Sequence, residues 1–322
     1  MASRGVRTSA CVLMGLGLLA GACAAGAGAP ATYPPKPTTP PALTRAEMRT
    51  FLRRAPVVAA APIGRGTTRP WRLTLSDGTT TWDAAFQAVD LRFSDRDIRE
   101  GRRQAGELRF VDSYKYNIAA YELAELLGLG DMVPVTVERK WDSGGRDGPL
   151  TGALSWWVSG TIDEGERRTL NLIPTDPAEW DRQLQRMVVF GELVYDTDRN
   201  LGNILITRDW RIVMIDFSRA FRLEPTLRLP ETLLRCDRRL LQRMRTLTAA
   251  EVRAAVGEQL TQFELAALMA RRDLIVARFD RLIEERGADR VLYGGGGLGG
   301  GLGSDLDLLR EDRDLTPRLP PG

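Results

Sequence analysis

The chain has 322 residues, of which 43% are hydrophobic and 27% charged, with 45 Lys+Arg against 42 Asp+Glu. That supports a packed core in one large or two moderate domains. A net charge of +3 lacks the basic excess of a dedicated nucleic-acid binder, so no nucleic-acid partner is expected. There is no histidine, and the only cysteines are Cys11, Cys23 and Cys236, which excludes Ser-His-Asp and Cys-His catalysis, His-ligated zinc and a disulfide framework.

Arg4 and Arg7 precede an apolar run from Ala10 to Ala20, too short to span a bilayer and read as an export signal over residues 1–22. The small residues Ala20-Gly21-Ala22 before Cys23 resemble the lipobox of bacterial lipoproteins. That resemblance implies a lipidated Cys23 and anchoring on the periplasmic or outer cell surface; an ordinary cleaved signal with a cysteine nearby is the alternative. Residues 23–43 hold six prolines between Pro30 and Pro41 and read as an extended tether. Residues 294–322 open on a glycine run and read as a disordered tail. Between them, 44–293 reads as one bilobal domain.

Within that domain, residues 72–82 read as strand, Asp77-Gly78 turn and strand, and Ala84 to Asp90 as a further strand. Tyr116 to Leu127 reads as a helix closed by Gly128 and Gly130. Val133 to Arg139 and Ala153 to Ser159 read as strands, with Trp156 and Trp157 in the core. The second half opens on a long amphipathic helix, Pro177 to Tyr195. A hairpin follows, with strands at 202–207 and 211–217. After Pro230 the chain reads as helical, with capping boxes Thr248-x-x-Glu251 and Thr261-x-x-Glu264 and Cys236 on a helix as a partly buried free thiol. The expected fold class is α+β, with a small β-rich lobe at about 70–165 and a larger helical lobe at about 166–293.

The chemistry concentrates in YDTDRNLGNILITRDWRIVMIDFSRAF, residues 195–221. Asp198 is followed five residues later by Asn203, and Asn203 thirteen residues later by Asp216 of Asp216-Phe217-Ser218. A helix end and a tight hairpin hold these positions together. Read alone, Asp-Arg-Asn-Leu-Gly is also a good turn sequence.

The spacing resembles the catalytic loop and D-F-G of the protein-kinase-like fold. The D-R-x-x-x-N form without a preceding His resembles the phosphatidylinositol 3-/4-kinase branch and, more loosely, HipA-type and secretory-pathway kinases; the chain also resembles a group of bacterial exported proteins with SYKYNIAAYEL and VPVTVER segments. The resemblance implies Mg²⁺-ATP, or Mn²⁺-ATP, as cofactor. It implies Asp198 facing an acceptor hydroxyl, with Arg199 holding Asp198 or a phosphate. Asn203 and Asp216 would supply the hard oxygen ligands that such ions take.

The phosphate clamp departs from that pattern. Gln87 stands where a strand lysine is expected. Glu122 or Glu125 is the candidate helix carboxylate, and Lys115, seven residues before Glu122, is the candidate substitute cation. No G-x-G-x-x-G loop precedes the strand, which leaves the Ser76–Thr79 turn as the phosphate cover. The expected function is therefore an exported, lipid-anchored kinase-like phosphotransferase whose acceptor the residues do not specify. The alternative is a pseudokinase, a tethered nucleotide-binding or interaction module without catalysis.

Overall fold

In the computed structural model, residues 39–64, 70–92, 111–144 and 148–294 are described. The expected export signal, Cys23, the tether up to residue 38 and the glycine-rich tail beyond Gly294 lie outside them.

The domain begins with helix α1 (Arg45–Arg54), which the sequence reading passed over although Thr44 and Glu47 form a complete capping box. Strands β1 (Val57–Pro62), β2 (Trp71–Ser76) and β3 (Thr81–Gln87) follow. The strand expected from Ala84 to Asp90 ends at Gln87. Asp90 opens β4 (Asp90–Arg92), which leaves the main sheet to pair with β5 (Val111–Ser113). Helix α2 (Tyr114–Leu127) starts on an Ser113 side-chain cap and stops at left-handed Gly128, φ 73°. Strands β6 (Thr136–Trp141) and β7 (Leu150–Trp156) complete a five-stranded antiparallel sheet of order β1-β2-β3-β7-β6.

Strand alternation gives this sheet two different faces. Trp82, Ala84 and Phe86 of β3 point to one, packed with Leu73, Leu75 and Trp156 and covered by α1, where Phe51 meets Trp156 edge-on. Asp83, Ala85 and Gln87 point to the other. Gln87 lies beside Ala153 on β7, and Ala153 packs against Tyr114 and Ile118 of α2, so α2 covers the Gln87 end of this inner face.

Beyond β8 (Ile162–Asp163) and the short α3 (Glu164–Thr169), helix α4 (Pro177–Val194) is started by an Asp176 cap and Pro177. Strands β9 (Ile204–Ile206) and β10 (Ile212–Met214) form the expected hairpin, and β8 adds a third strand to it. The rest is helical: α5 (Arg238–Thr246), α6 (Ala249–Val256), α7 (Gln262–Arg286) and α8 (Ala288–Val291), with both expected capping boxes formed. Cys236 lies not on a helix but on β11 (Cys236–Asp237), paired with β12 (Leu292–Tyr293), and is fully buried. Burial pushes its thiol well above the usual range, so it stays protonated. Among the described residues no helix is long and apolar enough to cross a membrane.

Candidate active site

Helix α4 ends at Tyr195, whose left-handed backbone (φ 50°) turns the chain into the loop that carries Asp198. Three interactions fix that loop. Asp196 accepts the Asp198 backbone N–H at 3.0 Å. The Asn203 side-chain amide donates to the Asp198 carbonyl at 2.8 Å. Asn200 caps the one-turn helix Leu201–Asn203 by accepting the Gly202 N–H.

Arg199 ties the loop to the end of β10. It donates to the carbonyls of Asn203 at 2.7 Å and Ile215 at 2.6 Å, pairs with buried Asp196 at 2.5 Å, and lies over the Phe217 ring. Ile215 N–H donates to the Asn203 carbonyl, and Asp216 then adopts a left-handed backbone, φ 55°. Asp198, Asn203 and Asp216 thereby share one loop cluster. Arg199 stands behind it with its donors committed to backbone and Asp196, rather than to Asp198 or outward.

The carboxylates differ in setting. Asp198 is about a third exposed: its side chain is 35% accessible and lies 3.5 Å from Arg219 Nη1. Asp216 is half-buried and accepts the Ser218 N–H at 3.4 Å, and burial of its carboxyl pushes it up from the usual range. The Ser218 contacts work against that shift, and the nearby Asp112 charge adds to it. Asp112, on β5, is 4% exposed. One of its oxygens is 3.5 Å from Arg219 Nε, and the other is buried with no hydrogen-bond partner. A backbone bond from Ser113 N–H to the Ser218 carbonyl, 2.8 Å, stitches β5 to the Asp216 segment. The sequence reading missed Asp112. Its only signal was an acid inside a short apolar stretch directly before a helix cap.

The small-lobe contribution also differs from expectation. Gln87 does reach the site, but its partner is Asn117 of α2, whose amide donates to Gln87 Oε1 at 2.7 Å and whose Oδ1 accepts the Phe217 N–H at 2.7 Å. The other helix candidates face elsewhere. Two residues turn an α-helix by about 200° and five by about 500°, so neither Lys115 nor Glu122 shares the Asn117 face. Lys115 pairs with Asp90 at 3.1 Å. Glu122 pairs with Arg49 of α1 at 2.9 Å, and burial lifts its carboxyl above the usual range despite that partner. Glu125 pairs with Arg45.

The Ser76–Thr79 turn is no phosphate cover either. It joins β2 to β3 at the Thr81 end, whereas Gln87 ends the same strand at the other. The connection nearer Gln87 joins β1 to β2 and reads Ile63-Gly64-Arg65-Gly66-Thr67-Thr68-Arg69-Pro70; its residues 65–69 lie outside those described. Trp156 is core, stacked on Trp82, but Trp157 is only half-buried and carries the Arg72 guanidinium 3.9 Å over its ring.

A five-stranded antiparallel sheet with one helix on its inner face, then a helix, a loop with Asp and Asn, and a hairpin ending in Asp-Phe, decides the architecture. The fold is that of the protein kinases. Solved structures agree at low identity. That of hydra Fam20 with sugar superposes with a TM-score of 0.57 at 15% identity, covering 77% of this chain and 91% of that one. The Golgi casein kinase gives 0.54 at 14% identity, and its structure with Mn/ADP bound gives 0.53 at 15%, each covering 77% of this chain and 78% of that one. No family model and no curated protein sequence matches the chain. Within the kinase fold, these structures are not of phosphatidylinositol kinases, the branch the D-R-x-x-x-N spacing suggested.

The donor set suits a hard divalent cation. Among the described residues no group of three or more His, Cys, Asp or Glu side chains is gathered for a metal. The available oxygens are the Asp216 carboxylate, the partnerless Asp112 oxygen and the Asn203 amide, whose nitrogen is turned back to Asp198. These are ligands for Mg²⁺ or Mn²⁺ rather than for a soft metal.

Proposed function

We propose that this chain is a kinase-like phosphotransferase using ATP with Mg²⁺ or Mn²⁺, and that it works as an exported protein anchored to the membrane through a lipid on Cys23. The observation that carries the catalytic part is the convergence of Asp198, Asn203 and Asp216 under the Arg199 tie. The Golgi casein kinase bound to Mn/ADP supports nucleotide and divalent metal as ligands of this fold.

In this reading Asp216, Asn203 and Asp112 hold the metal. When bound, the metal neutralises charge on the β- and γ-phosphates. Asp198, whose side chain is about a third exposed, orients the acceptor hydroxyl and takes its proton as the new O–P bond forms and ADP departs. The acceptor belongs to a class that presents a hydroxyl.

The Gln87–Asn117 pair favours a second reading. Two neutral amides stand where a charged phosphate clamp is expected, as in a nucleotide-binding or interaction module without catalysis. The test is thermal stabilisation of the full chain by ATP with and without Mg²⁺ or Mn²⁺, beside Asp216→Ala, followed by an acceptor screen for ADP release. Metal-dependent stabilisation abolished by the substitution supports the nucleotide site. Stabilisation without turnover on any acceptor turns the reading to the second, and a folded chain indifferent to millimolar ATP overturns the first and leaves the second as an interaction module alone.

A further inference from the structure

A carboxylate that takes a proton must be oriented as well as placed. The terminal torsion of an aspartate is broad and two-fold, and the Asp198 side chain is 35% accessible, so packing alone does not choose which oxygen meets an acceptor. Asn200, two residues on, makes that choice. Its side-chain amide donates to Asp198 Oδ1 at 3.2 Å and to the Asp198 carbonyl at 3.4 Å. Asp198 Oδ2 stands 3.5 Å from Arg219 Nη1, longer than an ordinary hydrogen bond.

Asn200 is itself locked. Its backbone N–H donates to the Asp198 carbonyl at 2.8 Å, and its carbonyl accepts the Asn203 N–H at 3.1 Å. Its Oδ1 accepts the Gly202 N–H at 2.9 Å, which caps the one-turn helix Leu201–Asn203. Because the cap uses the amide oxygen, the NH₂ end must turn to Asp198. Serine and aspartate cap helices about as well as asparagine does. Serine has one oxygen on a short stem and cannot serve both neighbours, and an ionised aspartate has no donor. An asparagine in this place therefore meets a demand that the cap alone does not make.

We propose that Asn200 is a positioning residue for phosphoryl transfer: it holds the Asp198 carboxylate by Oδ1, so that Oδ2 takes the proton of the acceptor hydroxyl. The proposal rests on the phosphotransferase reading. In that step the hydroxyl oxygen bonds to the γ-phosphorus. The bond from this phosphorus to the bridging oxygen breaks, its electron pair leaves with ADP, and the hydroxyl proton moves to Oδ2. Asn200 touches none of the reacting atoms and acts through Asp198.

The experiment is ATP hydrolysis by the full chain with Mn²⁺, water serving as acceptor, read as ADP release. It is run beside ATP titration and thermal melting for the parent, Asn200→Ser, Asn200→Asp, Asp198→Asn, and Asp198→Asn combined with Asn200→Ser. Both Asn200 variants keep the cap, so Tm is expected within about 2 °C of the parent and ATP affinity within about 2-fold. Their kcat is expected to fall about 10- to 100-fold, the scale of a misplaced general base, with KM nearly unchanged. In the Asp198→Asn background, Asn200→Ser is expected to cost less than about 2-fold, since nothing is left to position. Three results overturn the proposal while leaving the phosphotransferase reading standing: kcat unchanged in both Asn200 variants, a loss that persists undiminished in the Asp198→Asn background, or a loss matched by lowered Tm and lost ATP binding. A parent that binds ATP but releases no ADP to water or to any hydroxyl acceptor removes the phosphotransferase reading, and the proposal with it.

Discussion

Asn117 bridges the two halves of the site, donating to Gln87 of β3 and accepting the backbone N–H of Phe217, each at 2.7 Å. A neutral amide therefore does what a charged pair is expected to do in this fold, and it also holds the Asp-Phe-Ser segment against α2. Asn117→Leu strands the buried Phe217 N–H and takes one donor from Gln87, and should destabilise the chain by about 1–3 kcal/mol in urea unfolding. Gln87→Lys alone should also destabilise, because the new charge meets an amide. Combined with Asn117→Glu it should recover part of that loss, so a double-mutant cycle should show favourable coupling.

Arg199 should matter for folding more than its place in a catalytic motif suggests. Its side chain is 8% accessible and that of its partner Asp196 1%. Arg199→Ala leaves the buried Asp196 carboxylate unpaired and takes a donor from the Asn203 and Ile215 carbonyls, of which Asn203 keeps the Ile215 N–H, and should cost about 3–5 kcal/mol. The check is chemical denaturation. Equal stability of the variant and the parent contradicts the tie described above.

Acid sensitivity should be traceable to Glu264. Its burial disfavours ionisation, but the Tyr116 hydroxyl, the Thr261 N–H and Arg92 outweigh this and hold its carboxyl below the usual value. A depressed carboxyl stabilises the folded chain in full above its unfolded pKa of about 4.3, and that contribution disappears as pH falls through the lower folded value. Glu264→Gln should therefore unfold more readily than the parent at pH 7, with the gap narrowing towards pH 3. A gap that widens on acidification means the sign is wrong.

Asp112→Asn should separate stability from ligand binding. The carboxylate is buried, one oxygen lacks a partner, and Asp216 is close by. Neutralising it removes a buried charge near Asp216 and also a partner of Arg219, opposing effects that should keep the Tm of the metal-free chain within about 2–4 °C of the parent. The same substitution should weaken Mn²⁺ binding at least about 10-fold. Differential scanning calorimetry and Mn²⁺ titration read the two effects independently.

What the sequence revealed here was local chemistry. The 198–217 motif, the α4 helix, the β9–β10 hairpin and both late capping boxes were legible because each is written in neighbouring residues. The identity of the partners across the site was not. Gln87 and Asn117 are 30 residues apart, and choosing Asn117 over Glu122 requires knowing which face of α2 meets the sheet. Periodicity could not decide that, since ten residues of this helix are buried. Asp112 was hidden for a related reason: its relation to Asp216 is created by the backbone bond between Ser113 and Ser218. Helix α1 had its Thr44–Glu47 signal in plain view and went unread beside the proline-rich stretch.

Helix α1 is bolted to α2 along its length: Arg45 grips Glu125, Arg49 grips Glu122 and the Tyr121 hydroxyl, and Arg139 of β6 holds the carbonyls of Leu52 and Ala55 at its end. Tension applied to the chain ahead of Thr44 would thus be delivered through two ion pairs into the helix that carries Asn117, and from there to Phe217. The entry of the chain at Thr44 and the alignment of its site lie on one mechanical line.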